Sequence, residues 1–391
     1  MCDRGDSSSI LTSVAVVCRP RASIAALSHV VLALDAFLDP TTTWTVPEAC
    51  RFGSVRLLDR IAARIHDEDK TQEFQSSVAK AVALGYVDVV QWLIRRCPTG
   101  HVPSQAVAEA AKNGHLEVLQ WLFSNHDHAY WGGDEMYYAV ANNRLEVAKF
   151  LHDHTAPPAD DMYLIDEAAR HGDLDMMKWL HSERGDQLTY EGVMRAVNHG
   201  FLAAVKWMRE TFPDSVVASD IKMDNAAANG HLEMIKWLHG QHAWCTKQAM
   251  NLAASNDHLD VVRFLHENRA EGCTTDAMDL AAANGHLETV QWLHHNRTEG
   301  CTQFAMDSAA KNGFFEVVKW LHTYRTEGCS AQAMDDAAAA GHFEIVQWLH
   351  KYRTEGCTRA AVADSIENGR FEVARWLRRA FPDTFGAAPP A

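Results

Sequence analysis

Residues 281–302 read AAANGHLETVQWLHHNRTEGCT. Three histidines, two glutamates, a cysteine and a tryptophan crowd this short string. Alone, it could be a reactive or metal-binding cluster. It returns 28 residues later as AAKNGFFEVVKWLHTYRTEGCS, residues 309–330, and once more at 337–358. A fixed period of this size marks a stacked repeat architecture.

The glycine of the NGH-type turn serves as a marker. It stands at Gly53, Gly85, Gly114, Gly172, Gly200, Gly230, Gly285, Gly313, Gly341 and Gly369, with Asn143 and Asp257 in the two remaining places. Nine of the twelve tryptophans lie seven residues after a marker, from Trp92 to Trp376. Phe150 and Phe264 fill that place in two units, and Arg60 fills it in a degenerate first unit.

Each unit reads as two helices. In the first, Ala277 and Ala281 share a face four residues apart, and their small side chains admit a close neighbour. The marker glycine suits the left-handed residue that closes this helix. Asn and Asp tolerate that conformation best among other residues, which accounts for Asn143 and Asp257. The second helix carries a broad apolar stripe, as in Leu116, Val118, Leu119, Trp121 and Leu122. One pair cannot bury its apolar face alone, whereas stacked pairs share a continuous core.

The string A-A-x-x-G-H-L-E-x-V-x-W-L resembles the ankyrin repeat. Ala281, Ala282, Gly285, His286, Leu287 and Glu288 match that pattern, as do Ala110, Ala111 and Gly114 through Val118. The resemblance spans about 49–380 in some twelve units, the last one or two serving as a C-terminal cap. It implies an all-α helix-turn-helix solenoid that binds a partner protein through its concave face. Two departures stand out. D/Q-A-M-D replaces the family's T-P-L-H entry, and the 28-residue period is shorter than the family's 33. The shortfall lies in the loop, so reduced or absent β-hairpin fingers are expected, in a short, tryptophan-bearing variety.

Composition narrows the function. The formal charge of −15 argues against nucleic acid, which demands a basic footprint, and permits a basic partner surface. No apolar run is long enough to span a bilayer. The leading residues carry Asp3 and Asp6 against Arg4 and lack the positive start of a signal peptide. Nine cysteines without a CxxC spacing fit a reducing compartment, cytoplasmic or nuclear, with secretion left open. Cys245, Cys273, Cys301, Cys329 and Cys357 recur at 28-residue intervals. At about 8–10 Å per unit they stand too far apart for disulfides or a shared metal. No catalytic motif is present, so no enzyme activity, cofactor or metal is expected. A monomer is expected.

Three periodic sets remain. Histidines follow the marker or the second-helix leucine, where imidazole can bond free backbone groups at helix ends. Arg269, Arg297, Arg325 and Arg353 precede Glu271, Glu299, Glu327 and Glu355 by two places, reading as a solvated alternating-charge surface. Asp166, Asp224, Asp279, Asp307 and Asp335, with Asn251, hold one place in the first helix. They take the place of the ankyrin family's histidine, and the resemblance implies a structural bond to the adjacent loop; the charges themselves read as an acidic stripe for a basic ligand. The aperiodic feature is aromatic: Tyr130, Trp131, Tyr137, Tyr138, Tyr163 and Tyr190 cluster in and after HAYWGGDEMYY. Tyr and Trp are enriched at interface hot spots, so this is the preferred binding patch.

The ends differ from the array. Residues 1–22 read as a disordered tail, 23–48 as a capping helix region and 381–391 as a second tail. The helix within SIAALSHVVLALDAFLDP resembles the start of an F-box, although it is too short for a complete one. That gives an alternative role, an adaptor coupling a bound protein to a ubiquitin-ligase complex through the N-terminal segment.

Overall fold

The computed structural model describes residues 44–385, apart from 64–66, 97–100, 128, 156–162, 215 and 217–220. The N-terminal tail, most of the capping segment and residues 386–391 lie outside the described residues. Within the segment assigned to the C-terminal tail, Pro382–Phe385 forms a short helix.

The chain divides into two compact units, one ending at Gln187 and the other starting at Leu188. Each is a series of helix pairs. The first contains Ser104–Asn113 with Leu116–Asn125, and Glu135–Ala141 with Leu145–His154. The second runs from Tyr190–Asn198 to Phe371–Ala380 and includes Gln303–Lys311 with Phe315–Tyr324. Among the described residues no strand forms, and the loops contribute two isolated bridges, Val102 to Ala129 and Lys222 to Trp244. The described parts of the shortened loops therefore form no β-hairpin finger. No described helix is long and apolar enough to cross a membrane.

The turn between paired helices has the expected backbone. Gly285 adopts φ +83°, and Asn143 and Asp257 adopt +60° and +62° in its place. The amide of His286 then bonds back to Ala281 O at 2.9 Å, satisfying an end carbonyl of the first helix. Ala277, Met278, Ala281, Ala282, Val290 and Leu293 are buried and make the core of that unit.

Successive units are joined by side chains as well as apolar contact. The most regular link is the aspartate ladder. Asp279 Oδ1 accepts the Thr302 amide at 2.7 Å, and Oδ2 accepts its hydroxyl at 2.8 Å. Thr302 Oγ1 in turn accepts from the Phe304 amide at 3.2 Å and so caps its own helix. Asp224, Asp307 and Asp335 bond Thr246, Ser330 and Thr358 in the same way, and Asn251 bonds Thr274. Asparagines just before the marker form a second ladder. Asn284, Asn312 and Asn368 donate to Ser255 O, Ala283 O and Ala339 O of the preceding first helix.

Two periodic sets differ from their sequence reading. Histidines after the second-helix leucine meet aromatic edges rather than backbone. His266, His294, His322 and His350 lie edge-on to Trp292, Trp320, Trp348 and Trp376, with centroids 5.0–5.3 Å apart. Histidines after the marker do reach backbone, but across the unit boundary: Nε2 of His231 and His286 lies 3.0 Å from Asn198 O and Ser255 O. The Arg–Glu pairs are also not a free surface. Arg297 and Glu299 side chains are only 22% and 25% exposed. The guanidinium pairs with Glu299 at 2.5 Å, lies 3.2 Å from His266 Nδ1 and crosses Gly272 of the preceding loop. A short loop laid on its neighbour leaves these charges little water.

Candidate protein-binding site

The ladder is interrupted in several repeats, among them those of Ala79, Ala108, Tyr137, Met194 and Ala363, and a candidate site lies beside Ala108. Asp279 stands six residues before its marker glycine. The corresponding residues are Ala108 before Gly114 and Tyr137 before Asn143. Ala108 has no carboxylate with which to hold the next loop. Between it and helix Glu135–Ala141 lies an open pocket of about 390 Å³, lined by Ser104, Gln105, Ala108, Glu109, Tyr130, Gly132, Asp134, Glu135 and Tyr138.

The loop across the pocket has its own framework. Glu135 stands eight residues before Asn143, where other units place Ala277, Ala305 and Ala333. It is 1% exposed, and its two carboxylate oxygens accept the Gly132 and Gly133 amides, each at 2.8 Å. The Tyr130 amide donates to Val102 O at 3.0 Å and ties the loop to the preceding one. Trp131 is half-buried edge-on against Phe123, with centroids 6.1 Å apart. A charged group in an alanine position has thus become the anchor of an irregular turn, and Trp131 belongs to the loop's support.

The tyrosines separate. Tyr130 is 60% exposed and Tyr138 37%, and both line the pocket. Tyr137, equally exposed, packs edge-on to Tyr138 at 5.7 Å between centroids but does not line the pocket. Tyr163 is exposed at the start of helix Leu164–Ala169, away from the lining set. Tyr190 is exposed in the second compact unit.

The aspartates do not form an exposed stripe. Asp166, Asp279 and Asp335 are buried, and the carboxylates of Asp224, Asp279, Asp307 and Asp335 accept bonds from the following loop. Burial pushes the Asp279 and Asp307 carboxyls above their ordinary range, against the bonds from Thr302 and Ser330 that favour ionisation. Their place is between helices, which removes them from the candidate surface.

The cysteine series is equally internal. Cys245, Cys273, Cys301 and Cys329 are buried free thiols, and Cys357 is half-buried. Burial raises Cys273, Cys301 and Cys329 to about 11 and Cys245 and Cys357 to about 12. Among the described residues, no three of His, Cys, Asp and Glu converge as metal ligands.

Sequence reasoning singled out Tyr130 and Tyr138 but missed Ser104, Gln105, Ala108, Glu109, Asp134 and Glu135. The signal was present in the register of the repeats: alanine where others carry Asp, and glutamate where others carry alanine.

Comparison with known families agrees with this architecture. An ankyrin-repeat model of three copies matches residues 223–307 and 278–359, and a many-copy ankyrin-repeat model matches 136–181. No curated protein matches the chain. The matched segments lie in both compact units, over the same helix pairs whose turns and ladders are described above. Residues 136–181 and 223–359 are ankyrin repeats.

Proposed function

We propose that the chain is a non-catalytic scaffold that binds a partner protein on the side of the array formed by its first helices and loops, centred on Tyr130 and Tyr138. Ankyrin repeats are generally protein–protein interaction modules. The observation carrying the location is the pocket beside Ala108, where the aspartate clamp is missing and two tyrosines stand exposed. Exposed aromatic rings over a concave, partly polar floor suit anchoring of a partner side chain. Glu109 and Asp134 give this region an acidic character that suits a basic partner, and its capture is expected to weaken with salt. The unpaired cysteines fit a reducing intracellular setting. The adaptor alternative depends on the N-terminal segment, most of which lies outside the described residues.

Affinity capture with mass spectrometry tests this reading, comparing the full chain with a Tyr137→Ala/Tyr138→Ala variant. The partner recovered by the wild type is then purified and titrated directly. A loss of at least about tenfold in affinity, with unchanged helical circular dichroism, is expected for hot-spot tyrosines. Equal affinity of variant and wild type for that partner overturns the location.

A further inference from the structure

We propose that the pocket beside Ala108 receives an arginine side chain of the bound partner. The inference rests on the docking reading above and gives that site its chemistry. The lining contains two carboxylates able to face a ligand, Glu109 and Asp134, and no basic residue. Glu135 is not one of them, because both its oxygens are committed to Gly132 and Gly133 and hold the rim.

Asp134 is the informative residue. It occupies the N-cap of helix Glu135–Ala141 yet caps no amide with its side chain. Thr302, Ser330 and Thr358 cap their helices two places earlier in the repeat, where this unit has Gly132, whose amide donates to Glu135 instead. The Asp134 carboxylate is exposed and left available beside the pocket. Glu109 has only a loose pairing with Lys112 at 3.7 Å, both side chains 44% exposed, which a better donor can displace.

The tyrosines decide between cations. Tyr130 and Tyr138 present exposed rings on the same pocket as the carboxylates. A guanidinium is planar, stacks on aromatic faces and offers several in-plane donors to carboxylates at once. A lysine ammonium is a compact, strongly hydrated charge that cannot make both contacts equally well. The overall charge of −15 adds attraction at longer range.

The test uses full-length protein labelled with 3-fluorotyrosine and observed by fluorine NMR. Tyr130→Phe and Tyr138→Phe assign the two resonances. The probes are acetyl-Ala-Arg-Ala-amide and its citrulline and lysine counterparts. The arginine peptide is expected to shift both resonances saturably. The uncharged citrulline isostere is expected to bind at least about tenfold more weakly, as loss of a charge-assisted contact implies. Glu109→Gln/Asp134→Asn is expected to remove that preference while leaving both resonances resolved. Unmoved resonances, equal binding of arginine and citrulline peptides, or tighter binding of the lysine peptide overturns the proposal. If the double tyrosine variant loses its partner while the probes show no arginine preference, the docking reading stands and the arginine assignment falls. If the probes show the preference while partner capture is unchanged, the pocket is an arginine site and the docking reading falls.

Discussion

Asp279 and Thr302, 23 residues apart, are joined twice: the carboxylate takes both the amide and the hydroxyl of the threonine. One residue thereby fixes the start of the next helix. Asp279→Ala leaves the Thr302 amide without its partner and is expected to cost about 1–3 kcal/mol. Asp279→Asn is expected to cost less, since Asn251 holds the same position and bonds Thr274 through both amide atoms. Urea unfolding midpoints at neutral pH distinguish the two variants. Equal midpoints for Asp279→Ala and wild type would contradict the ladder's role.

The marker glycine answers to two constraints. At Gly285 the backbone has φ +83°, and an added Cβ would lie 2.4 Å from Phe314 Cδ1 of the next unit. Gly133 has φ +95° with nothing within 4 Å. Both alanine substitutions bear the left-handed cost of about 1–2 kcal/mol. Gly285→Ala adds overpacking of about 1–3 kcal/mol. Thermal melts should therefore place Gly285→Ala below Gly133→Ala, and the reverse order would refute the interlock.

The buried thiols should be slow. A rise from the ordinary 9.0 to about 11 at Cys273 and Cys301 lowers the thiolate fraction about a hundredfold at neutral pH. Labelling of native protein with a thiol-exchange reagent at pH 7.5 is expected to leave these sites largely unreacted, with rapid reaction after denaturation. Fast native reaction at both sites would show that the loops open freely.

The loop pairs and the ladder respond to acid with opposite signs. The Arg297 guanidinium holds the Glu299 carboxyl at about 2, below its ordinary 4.5. Its stabilising contribution is present above about 4.5 and lost as pH falls toward 2. Asp279 is shifted upward by burial, so its ionisation works against folding, and that penalty is relieved as acid protonates it. Glu299→Gln is expected to flatten the fall in stability between pH 4.5 and 2, measured by urea midpoints across that window. An unchanged slope would refute the assignment to this pair.

Much of the repeat was legible because it is written in period and residue type. The left-handed turns could be placed at Gly285, Asn143 and Asp257 from the sequence, since few residues tolerate that backbone. The helices followed from the apolar stripe, and the absence of strands among the described residues from the short loop. The histidines after the second-helix leucine and the Arg–Glu set were misread for a common reason. Their partners sit in the neighbouring unit, such as Trp320 for His294 and His266 for Arg297, and local spacing carries no record of that contact.

The sequence alone determined the unit: its length, its two helices, its closing glycine and the position of its tryptophan. These depend on local backbone preference and on helical periodicity, both readable within one repeat. The tertiary structure decided what the aligned positions face. It turned the aspartates toward the next loop, buried the cysteines, and exposed Tyr130 and Tyr138 beside the gap at Ala108. The physical reason is that a ladder bond belongs to two units at once. Where one unit replaces aspartate with alanine, the consequence appears only once the next unit is stacked upon it.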